Sequence, residues 1–262
     1  MINNYKTSMA SMESMIMYQD DDILVCRKMA GMAVQNASFS VPDLESLLRN
    51  YLRGGYLAVV HRLDQPVEGI VVFAKNPDSA AGLSAALQKD EMKKEYLALV
   101  CLPEQADAYP VAGKWVDLKD DLQKDPKTNL SRVVKPGTKG AKHAFLSYLP
   151  EAVPDGKSGS ECLYFSTGQP CCVAPEYLAS CPISLFRIRL YTGRHHQIRV
   201  QLAHHGFPVL GDRKYGRIDE GSLPPSLALC AASLSFPHPS GGRPMSFSTK
   251  PSFLGLSKGP SP

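Results

Sequence analysis

The sequence lacks several features that mark secreted and membrane proteins. None of its seven cysteines forms a C-x-x-C pair, and an odd count with Cys171 beside Cys172 argues against a disulfide framework or a zinc site. No apolar run approaches the ~20 residues that a membrane span needs. The first residues have no basic start followed by an apolar core, which argues against a secretory signal. We therefore expect reduced thiols and a cytoplasmic protein that contacts no membrane.

The chain also lacks an internal repeat and any strong compositional bias. It has 262 residues, of which 44% are hydrophobic and 21% are charged, as in ordinary globular proteins. Residues 1–14 are predicted to be a flexible leader and residues 254–262 a flexible tail. Residues 15–253 are predicted to form one domain.

Positive charge is concentrated in two stretches. Residues 124–142 contain six basic residues against one acidic residue, and residues 185–217 contain seven against one. The whole chain has a net charge of +4, so the remainder is acidic. Two basic stretches on an acidic chain favour an anionic partner such as RNA or DNA, although solvated surface faces would give the same count.

Hydrophobic periodicity and turn residues predict a mixture of strands and helices. A helix is predicted from Asp43 to about 52, a second from the Asn76 cap to about 89, and a third from 192 to about 205. The polar stretch 103–142 is predicted to leave the core, and 150–182 to be a long loop or short hairpin. The predicted strands are 16–18, 23–27, 56–60, 69–74, 94–101, 145–149 and 184–191, with short core elements at 209–215 and 227–236.

A charged bend separates two of the apolar strands. The segment VVHRLD places His61, Arg62 and Asp64 between the strand at 56–60 and the strand at 69–74. One interpretation is a solvated turn in which the aspartate bonds its own backbone. The other is a carboxylate held at the mouth of a cleft.

Four ordered blocks of sequence resemble a known enzyme family. HRLDQPVEGIVVFAK is similar to the HRLD-x-x-T-S-G-L-L-L-L-A-K signature of RluA-type RNA pseudouridine synthases, and KKEYLALV to their K-x-Y-x-A-x-V strand. TGRHHQIRVQLAHHGFPVLGDRKYG resembles their T-G-R-x-H-Q-I-R block, and LCAASLSFPHPSGG the segment that follows it. The resemblance covers roughly residues 15–250 in the family's order, which is far more specific than one short motif.

This resemblance implies both a fold and an activity. The implied fold is α+β, with a large, mostly antiparallel mixed sheet flanked by helices and loops around a central active-site cleft. The implied activity is site-specific isomerisation of uridine to pseudouridine in structured ribosomal or transfer RNA. The family needs no metal or cofactor, and a monomer is its default state. We also expect no separate N-terminal RNA-binding domain of the kind that some relatives carry.

The family's functional residues map onto particular positions of this chain. Asp64 aligns with the catalytic aspartate, Tyr96 with the tyrosine that stacks on the target base, and Arg199 with the basic residue that pairs with the aspartate. Ile198 and Leu202 resemble the apolar floor of the site. The predicted substrate and RNA contacts are His61, Arg62, Arg194, His195, Gln197, Ile198, Leu202, Lys135 and Lys139.

The chemistry requires these residue types for independent reasons. Isomerisation breaks a base–sugar C–N bond and makes a C–C bond, and a carboxylate at the anomeric carbon can act as a nucleophile or as a base. Burial raises the pKa of a carboxyl, and a guanidinium within ~4–6 Å opposes that rise. An aromatic face and an apolar floor can hold the freed uracil while it turns. A base inside folded RNA must also be turned out of its stack, which costs a few kcal/mol.

The sequence departs from the family pattern at two places, and other functions remain open. Val67-Glu68 replaces the usual Thr-Ser, so a second carboxylate lies near Asp64 and could raise its pKa. Gln201 replaces the usual histidine. A non-catalytic RNA-binding relative and a base-removing glycosidase are the alternatives, although glycosidases usually need a second carboxylic acid. A metal site among the four histidines of 195–205 is disfavoured because no acid or cysteine lies at ligand spacing.

Overall fold

The computed structural model describes residues 12–35, 42–103, 111–154, 163–165, 170–171, 173, 182–216 and 226–254. The chain divides into two compact units. The first consists of Met1–Lys94 and Ala231–Thr249, and the second of Glu95–Cys230 and Lys250–Pro262. Most of the predicted leader and tail therefore lies outside the described residues. The single domain predicted over 15–253 stays a prediction.

Within the described ranges the elements are three helices and thirteen strands. The helices are α1 (Leu44–Tyr51), α2 (Pro77–Gln88) and α3 (Gln197–His204). The strands are β1 (Ile16–Gln19), β2 (Ile23–Lys28), β3 (Ala58–Val59), β4 (Glu68–Ala74), β5 (Lys93–Cys101), β6 (Val116–Asp125), β7 (Leu130–Val134), β8 (Lys142–Pro154), β9 (Leu163–Phe165), β10 (Pro170–Cys171), β11 (Ile183–Leu190), β12 (Leu229–Pro237) and β13 (Pro244–Ser248).

The first unit is built on the antiparallel neighbours β1, β2 and β4, with β12 beside β4 and β13 beside β12. Strand β4 reads EGIVVFA and is buried along its whole length, as expected for a strand covered on both faces. Its Gly69 has φ +128°, and a Cβ there would overlap the backbone of Ala231, so only glycine fits. Helix α2 begins at the Asn76 cap, whose side chain accepts from Ser79 N, and it packs Leu83 into the core beside β4.

The second unit is an antiparallel sheet in the order β5-β11-β8-β6-β7. Register aligns Tyr96 with Ile188 and Ile188 with Tyr148, and all three are buried. Alternate residues project from the opposite face of the sheet. Helix α3 covers the buried face, where Val200 packs against Leu122 and its strand neighbours.

The structure confirms the α+β class with a mostly antiparallel sheet. Most predicted strands and two predicted helices appear within a few residues of their expected bounds. A short hairpin was one of the two structures predicted for 150–182, and β9 pairs with β10 there. Residues 150–154 belong to β8, and most of the remaining stretch lies outside the described residues. The central cleft stays a prediction.

Two predictions of local structure were wrong, and a third, the short core element at 209–215, was right about burial but not about regular structure. The described part of 103–142 does not leave the core, because β6 and β7 form a hairpin that pairs with β8 and buries Leu118 and Leu122. The helix predicted from 192 begins only at Gln197, since His196 has φ 54° and cannot belong to a right-handed helix. The segment 209–215 is a bridge at Val209 and a turn rather than a regular element.

Candidate active site

Asp64 lies in the first unit, in the loop between β3 and β4. The bend is a turn in which Val67 N–H donates to the main-chain carbonyl of Asp64 at 3.0 Å. Main-chain groups therefore close the turn. The Asp64 side chain is half-buried, whereas Arg62 before it is exposed.

A fully buried lysine donates a hydrogen bond to the main chain of the Asp64 turn. The ammonium of Lys28, at the end of β2, donates to the carbonyls of Met29 (3.1 Å), Met32 (2.6 Å) and Gln65 (3.1 Å). Burial lowers the pKa of Lys28 to about 8, while the charges of Asp64 and Glu68 oppose that shift. The lysine thus fixes the residue after Asp64 and supplies positive charge near two carboxylates.

The same turn is tied to the 29–32 loop by two further hydrogen bonds. Gly31 N donates to Gln65 O at 2.9 Å, and the Gln65 side-chain amide donates back to Gly31 O at 3.0 Å. Gly31 has φ +84°, a conformation that glycine adopts without strain. The backbone that follows Asp64 is therefore pre-positioned by the folded chain.

Glu68, which departs from the family pattern, has a cationic partner. It is 1% exposed and its Oε2 lies 3.2 Å from Nη2 of Arg27. The carboxylate is also within the electrostatic influence of Lys28. Arg27 and Lys28 thus place two positive charges in the unit that holds the Asp64 and Glu68 carboxylates.

His61 supports the backbone of the core strand. It is 7% exposed, and its Nε2 accepts a hydrogen bond from Val72 N at 3.2 Å. Desolvation, reinforced by the charge of Lys94, lowers its pKa well below the ordinary value, so the ring is neutral and carries its proton on Nδ1. The expectation that His61 satisfies a backbone group is confirmed, and its direct contact with RNA stays a prediction.

Tyr96 and Arg199 lie in the second unit. Tyr96 is on β5, buried on the sheet face that it shares with Ile188. Arg199 is on α3, and its Nε and Nη2 donate to the two oxygens of Asp212 at 2.7 Å each. The side chains of this pair are 5% and 0% exposed. The structure therefore gives Arg199 a buried, bidentate carboxylate partner in Asp212.

Asp212 is itself fixed by the turn that follows it. Its Oδ1 accepts from Lys214 N (2.9 Å) and Tyr215 N (3.1 Å), so the carboxylate caps its own turn. A guanidinium has five N–H donors, and a bidentate pair engages only two of them. Asp212 can therefore orient Arg199 while other donors of the same guanidinium serve a second acceptor.

A chain of aromatic and hydroxyl groups surrounds this ion pair. The Arg199 guanidinium lies 5.3 Å from the ring centroid of Tyr215, whose hydroxyl bonds Nδ1 of His196 at 2.8 Å. Desolvation first, and then the charges of Arg199 and His195, lower the pKa of His196 to about 3. His195 stacks on His196 at 3.8 Å and reaches Ser131 Oγ at 2.9 Å.

The other predicted contact residues between 194 and 202 differ in their burial and in their hydrogen-bond partners. Gln197 is buried, and its amide bonds Thr192 Oγ1, Arg194 N and Phe145 O, which shapes the loop before α3. Ile198 and Leu202 are buried. Arg194 donates from Nε to a main-chain carbonyl at 2.7 Å. Direct substrate contact by all four stays a prediction.

Lys135 and Lys139 are exposed on the turn between β7 and β8. The turn has defined main-chain bonds, because Thr138 donates to Lys135 O from both its N–H and its hydroxyl. Gln123 of β6 also donates to Lys139 O at 3.1 Å. The two ammonium groups are therefore presented to solvent by an ordered backbone.

Sequence reasoning missed Lys28, Asp212 and Tyr215. Asp212 and Tyr215 lie inside the quoted G-D-R-K-Y-G block, so a signal was present although no role was assigned to them. Lys28 gave no such signal, because a lysine at a strand end is usually exposed. The structure brings Arg199, Asp212, Tyr215, His195 and His196 together within the second unit.

In the described part of the chain, the histidines of 195–205 are not part of a metal-capable group. No helix there is long and apolar enough to cross a bilayer. The one group of three metal-capable side chains is Asp20, Asp22 and His238, with no histidine of 195–205 in it. Asp20 and Asp22 accept hydrogen bonds from Tyr18, Asn76 and main-chain groups, so they already have structural roles.

Comparison with known proteins bears on the same segments. The family model described as RNA pseudouridylate synthase matches residues 22–204. Ribosomal large subunit pseudouridine synthase C of Buchnera aphidicola is 30% identical over 206 residues, which is 78% of this chain and 54% of that protein. The tRNA pseudouridine synthase C of Haemophilus ducreyi is 28% identical and covers 87% of each chain. The chain thus spans about half the length of the first relative and most of the second.

Two solved human structures share the fold. RNA Pseudouridylate Synthase Domain Containing 1 superposes with a TM-score of 0.67 at 22% identity, covering 91% of this chain and 84% of that one. Domain Containing 4 superposes with a TM-score of 0.64 at 18% identity, covering 92% and 90%. The family match includes the Asp64 turn, Tyr96 and Arg199. On this evidence, the chain belongs to the RNA pseudouridylate synthase family.

Proposed function

We propose that the protein isomerises uridine to pseudouridine at specific positions in structured RNA. The observation that carries the proposal is the Asp64 turn, which lies within the matched family region and is held by a buried lysine. The names of the relatives include synthases of ribosomal and of transfer RNA, and both RNA classes are candidate substrates here. The protein acts as a cytoplasmic monomer and uses no metal or cofactor.

Asp64 is the group that acts at the anomeric carbon. A carboxylate on a rigid turn can attack that carbon or remove a proton from the sugar, and either role needs the ionised form. Lys28 supplies a positive charge that interacts with the Asp64 carboxylate, and Arg27 forms an ion pair with Glu68. Their charge offsets the second carboxylate that Glu68 brings to the loop.

Arg199 provides the fixed positive charge of the site. Its guanidinium never deprotonates at physiological pH, and Asp212 holds two of its donors in one geometry. Asp212 is then a positioning residue that acts through Arg199. Tyr96 supplies the aromatic face for the uracil, with Ile198 and Leu202 as the apolar floor.

Basic side chains around the loops hold the RNA while the target base is turned outward. Arg62, beside Asp64, and Lys135 and Lys139, on the β7–β8 turn, are exposed, which suits contact with phosphates. Arg194 adds a positive charge just before α3, and His195 beside it is a further candidate RNA contact. His61 and Gln197 contribute by shaping the backbone that carries these residues.

A tritium-release assay tests the proposal. Cellular RNA labelled at carbon 5 of uridine, from a strain without this protein, is incubated with the wild type and with Asp64→Asn. We expect release by the wild type and none by Asp64→Asn, with RNA affinity nearly unchanged. Asp90→Asn is the matched control, because Asp90 is an exposed turn aspartate whose loss leaves the chemistry intact.

The same assay separates the alternatives. Equal release by Asp64→Asn and the wild type would overturn the catalytic assignment. Free labelled uracil and abasic sites would indicate a glycosidase. RNA binding without any release from either RNA class would favour a non-catalytic binding role.

A further inference from the structure

The sheet of the second unit has an exposed face on the side opposite Tyr96. Glu95 and Arg189 are paired neighbours of Tyr96 and Ile188 on β5 and β11, so they project from the other side of the sheet. The same face continues onto β8, where Ser147 aligns with Arg189, and onto β6 beside it. This face is half-exposed, in contrast to the buried Tyr96 face.

Aromatic rings and cations alternate on that face. Tyr191 stacks on Phe145 with ring centroids 4.3 Å apart and an angle of 18° between the planes. The ammonium of Lys119 lies 4.8 Å from the centroid of the Phe145 ring on the neighbouring strand. Two residues before Tyr191, on β11, the Arg189 guanidinium lies 4.2 Å from the Trp115 ring centroid. The five side chains thus form two cation–aromatic groups. One consists of Lys119, Phe145 and Tyr191, and the other of Arg189 and Trp115.

These rings do not belong to a hydrophobic core. Tyr191 is 45% exposed and is one of the few large exposed hydrophobic side chains in the described part of the chain. Phe145 and Trp115 are half-buried, while Lys119 and Arg189 are exposed. Such an aromatic arrangement has no structural need to face solvent, since each ring would gain more from burial.

We propose that Tyr191, Phe145, Lys119, Arg189 and Trp115 form a stacking platform for unpaired nucleotides of the RNA substrate. The proposal rests on the proposed function, because that function supplies RNA as the occupant. Exposed aromatic side chains on an open sheet stack bases in other RNA-binding modules, and Arg guanidinium planes do the same. Tyr191 immediately precedes Thr192 and the loop that leads to Arg199, so the platform is continuous in sequence with the candidate site.

The charge of the platform favours base contact over phosphate contact. Arg189 Nε bonds Glu95 at 2.7 Å, and Arg187 bonds Glu151 and Glu95 at 2.6 and 2.9 Å. These carboxylates neutralise most of the cationic charge on the face and leave the planar surfaces of Arg189 and Tyr191 available for stacking. The platform should therefore contribute affinity for unpaired bases without contributing much to the salt dependence of binding.

The single tryptophan of the chain reports on this surface directly. Trp115 is the only tryptophan and lies against Arg189, so a base that stacks nearby alters its emission. Titration of the full-length protein with short oligouridine should quench this emission, whereas a fully paired RNA hairpin of equal length should quench it far less. An unchanged emission at saturating oligouridine overturns the platform.

Substitutions at Tyr191 test the same surface by affinity. Loss of one base–aromatic stack weakens binding about tenfold, so we expect that effect for Tyr191→Ala and full retention for Tyr191→Phe. The slope of affinity against salt should be the same in all three proteins. Tyr56→Ala, at an equally exposed tyrosine of the first unit (46%), is the matched control. Oligouridine binding by Tyr191→Ala at wild-type affinity overturns the proposal.

Tritium release from the same samples keeps this proposal separate from the catalytic one. Asp64→Asn should retain the full tryptophan quench, because it leaves the platform intact. Quench by a wild type that releases no tritium supports the platform while it overturns the isomerase assignment. Normal tritium release without any quench overturns the platform alone.

Discussion

At the scale of single residues, the candidate site depends on buried charges that are each matched by specific partners. Lys28 is fully buried, and three main-chain carbonyls accept hydrogen bonds from its ammonium. Burying an unmatched ammonium would cost several kcal/mol, so these carbonyls are the reason that the folded chain tolerates it. The lysine in turn fixes the backbone beside Asp64, which links core stability to the geometry of the proposed reaction.

Removing that ammonium should destabilise the protein and loosen the Asp64 turn. In Lys28→Met the carbonyls of Met29, Met32 and Gln65 lose a shared donor, and buried acceptors without donors cost about 1–3 kcal/mol each. We expect a loss of about 2–4 kcal/mol in the free energy of unfolding, measured by urea denaturation. Lys124→Met, at an exposed position, should change it by less than about 0.5 kcal/mol. Equal stability of Lys28→Met and the wild type would contradict this role.

The Arg199–Asp212 pair should behave as one unit. Asp212→Asn leaves a buried guanidinium without its counter-charge, and breaking a buried pair typically costs about 3–5 kcal/mol. We expect a loss of that order by chemical denaturation. The double variant Arg199→Met with Asp212→Asn should recover part of it, because the uncompensated charge is gone. If the two single losses simply add in the double variant, the residues are not coupled.

At the scale of secondary structure, the sequence predicted elements whose apolar pattern is uninterrupted. Strand β4 and helix α2 appeared close to their expected bounds because burial and the Asn76–Pro77 start signal are local features. The β6–β7 hairpin was missed because charged residues occupy its exposed positions and obscure the alternation of Leu118 and Leu122. Its Asp120 accepts from Gln201 of α3 at 2.7 Å, a partner that no local pattern reveals.

The start of α3 shows the same limit. Thr192 and Gly193 predicted an earlier beginning. In the structure, the Thr192 hydroxyl donates to the Gln197 side chain at 2.8 Å and accepts from Phe145 N at 2.9 Å. These bonds hold the intervening loop in a non-helical shape. The catalytic assignments at Asp64, Tyr96 and Arg199 came from family motifs, whereas the partners Lys28 and Asp212 became visible only through tertiary contacts.

The turn between β1 and β2 gives a prediction for pH dependence. Burial alone would raise the pKa of Asp20, but hydrogen bonds from Tyr18 and from main-chain Ile23 and Asp22 lower it to about 2. The folded state therefore binds the proton less readily than the unfolded state, whose pKa is near 3.8. The stabilisation is complete above about pH 5 and is lost progressively as the pH falls through 3.8 towards 2.

We therefore expect Asp20→Asn to be less stable than the wild type at neutral pH and to approach it near pH 2. Urea denaturation across this range measures the difference. Asp21→Asn, at the exposed neighbouring position, is the control and should follow the wild type throughout. A constant gap between Asp20→Asn and the wild type from pH 7 to pH 2 would contradict the assigned role.

At the scale of the whole molecule, positive charge and aromatic surface should contribute to RNA binding in different ways. The basic stretch 124–142 places Lys135 and Lys139 on an exposed, ordered turn. The proposed platform around Tyr191 presents mostly neutralised charge. Phosphate contacts release counterions and therefore set the salt dependence of affinity, whereas stacking contacts do not.

Charge reversal at the β7–β8 turn should therefore change how salt affects RNA binding. The affinity for structured RNA falls with salt by a slope of about 0.7–0.9 for each neutralised phosphate. The double variant Lys135→Glu with Lys139→Glu should lower that slope by about 1.5, as measured by fluorescence anisotropy at several salt concentrations. Lys89→Glu with Lys250→Glu is the matched control, since both lysines are exposed and lie outside the basic stretches. An unaltered slope in the first variant would mean that the turn is a solvated loop.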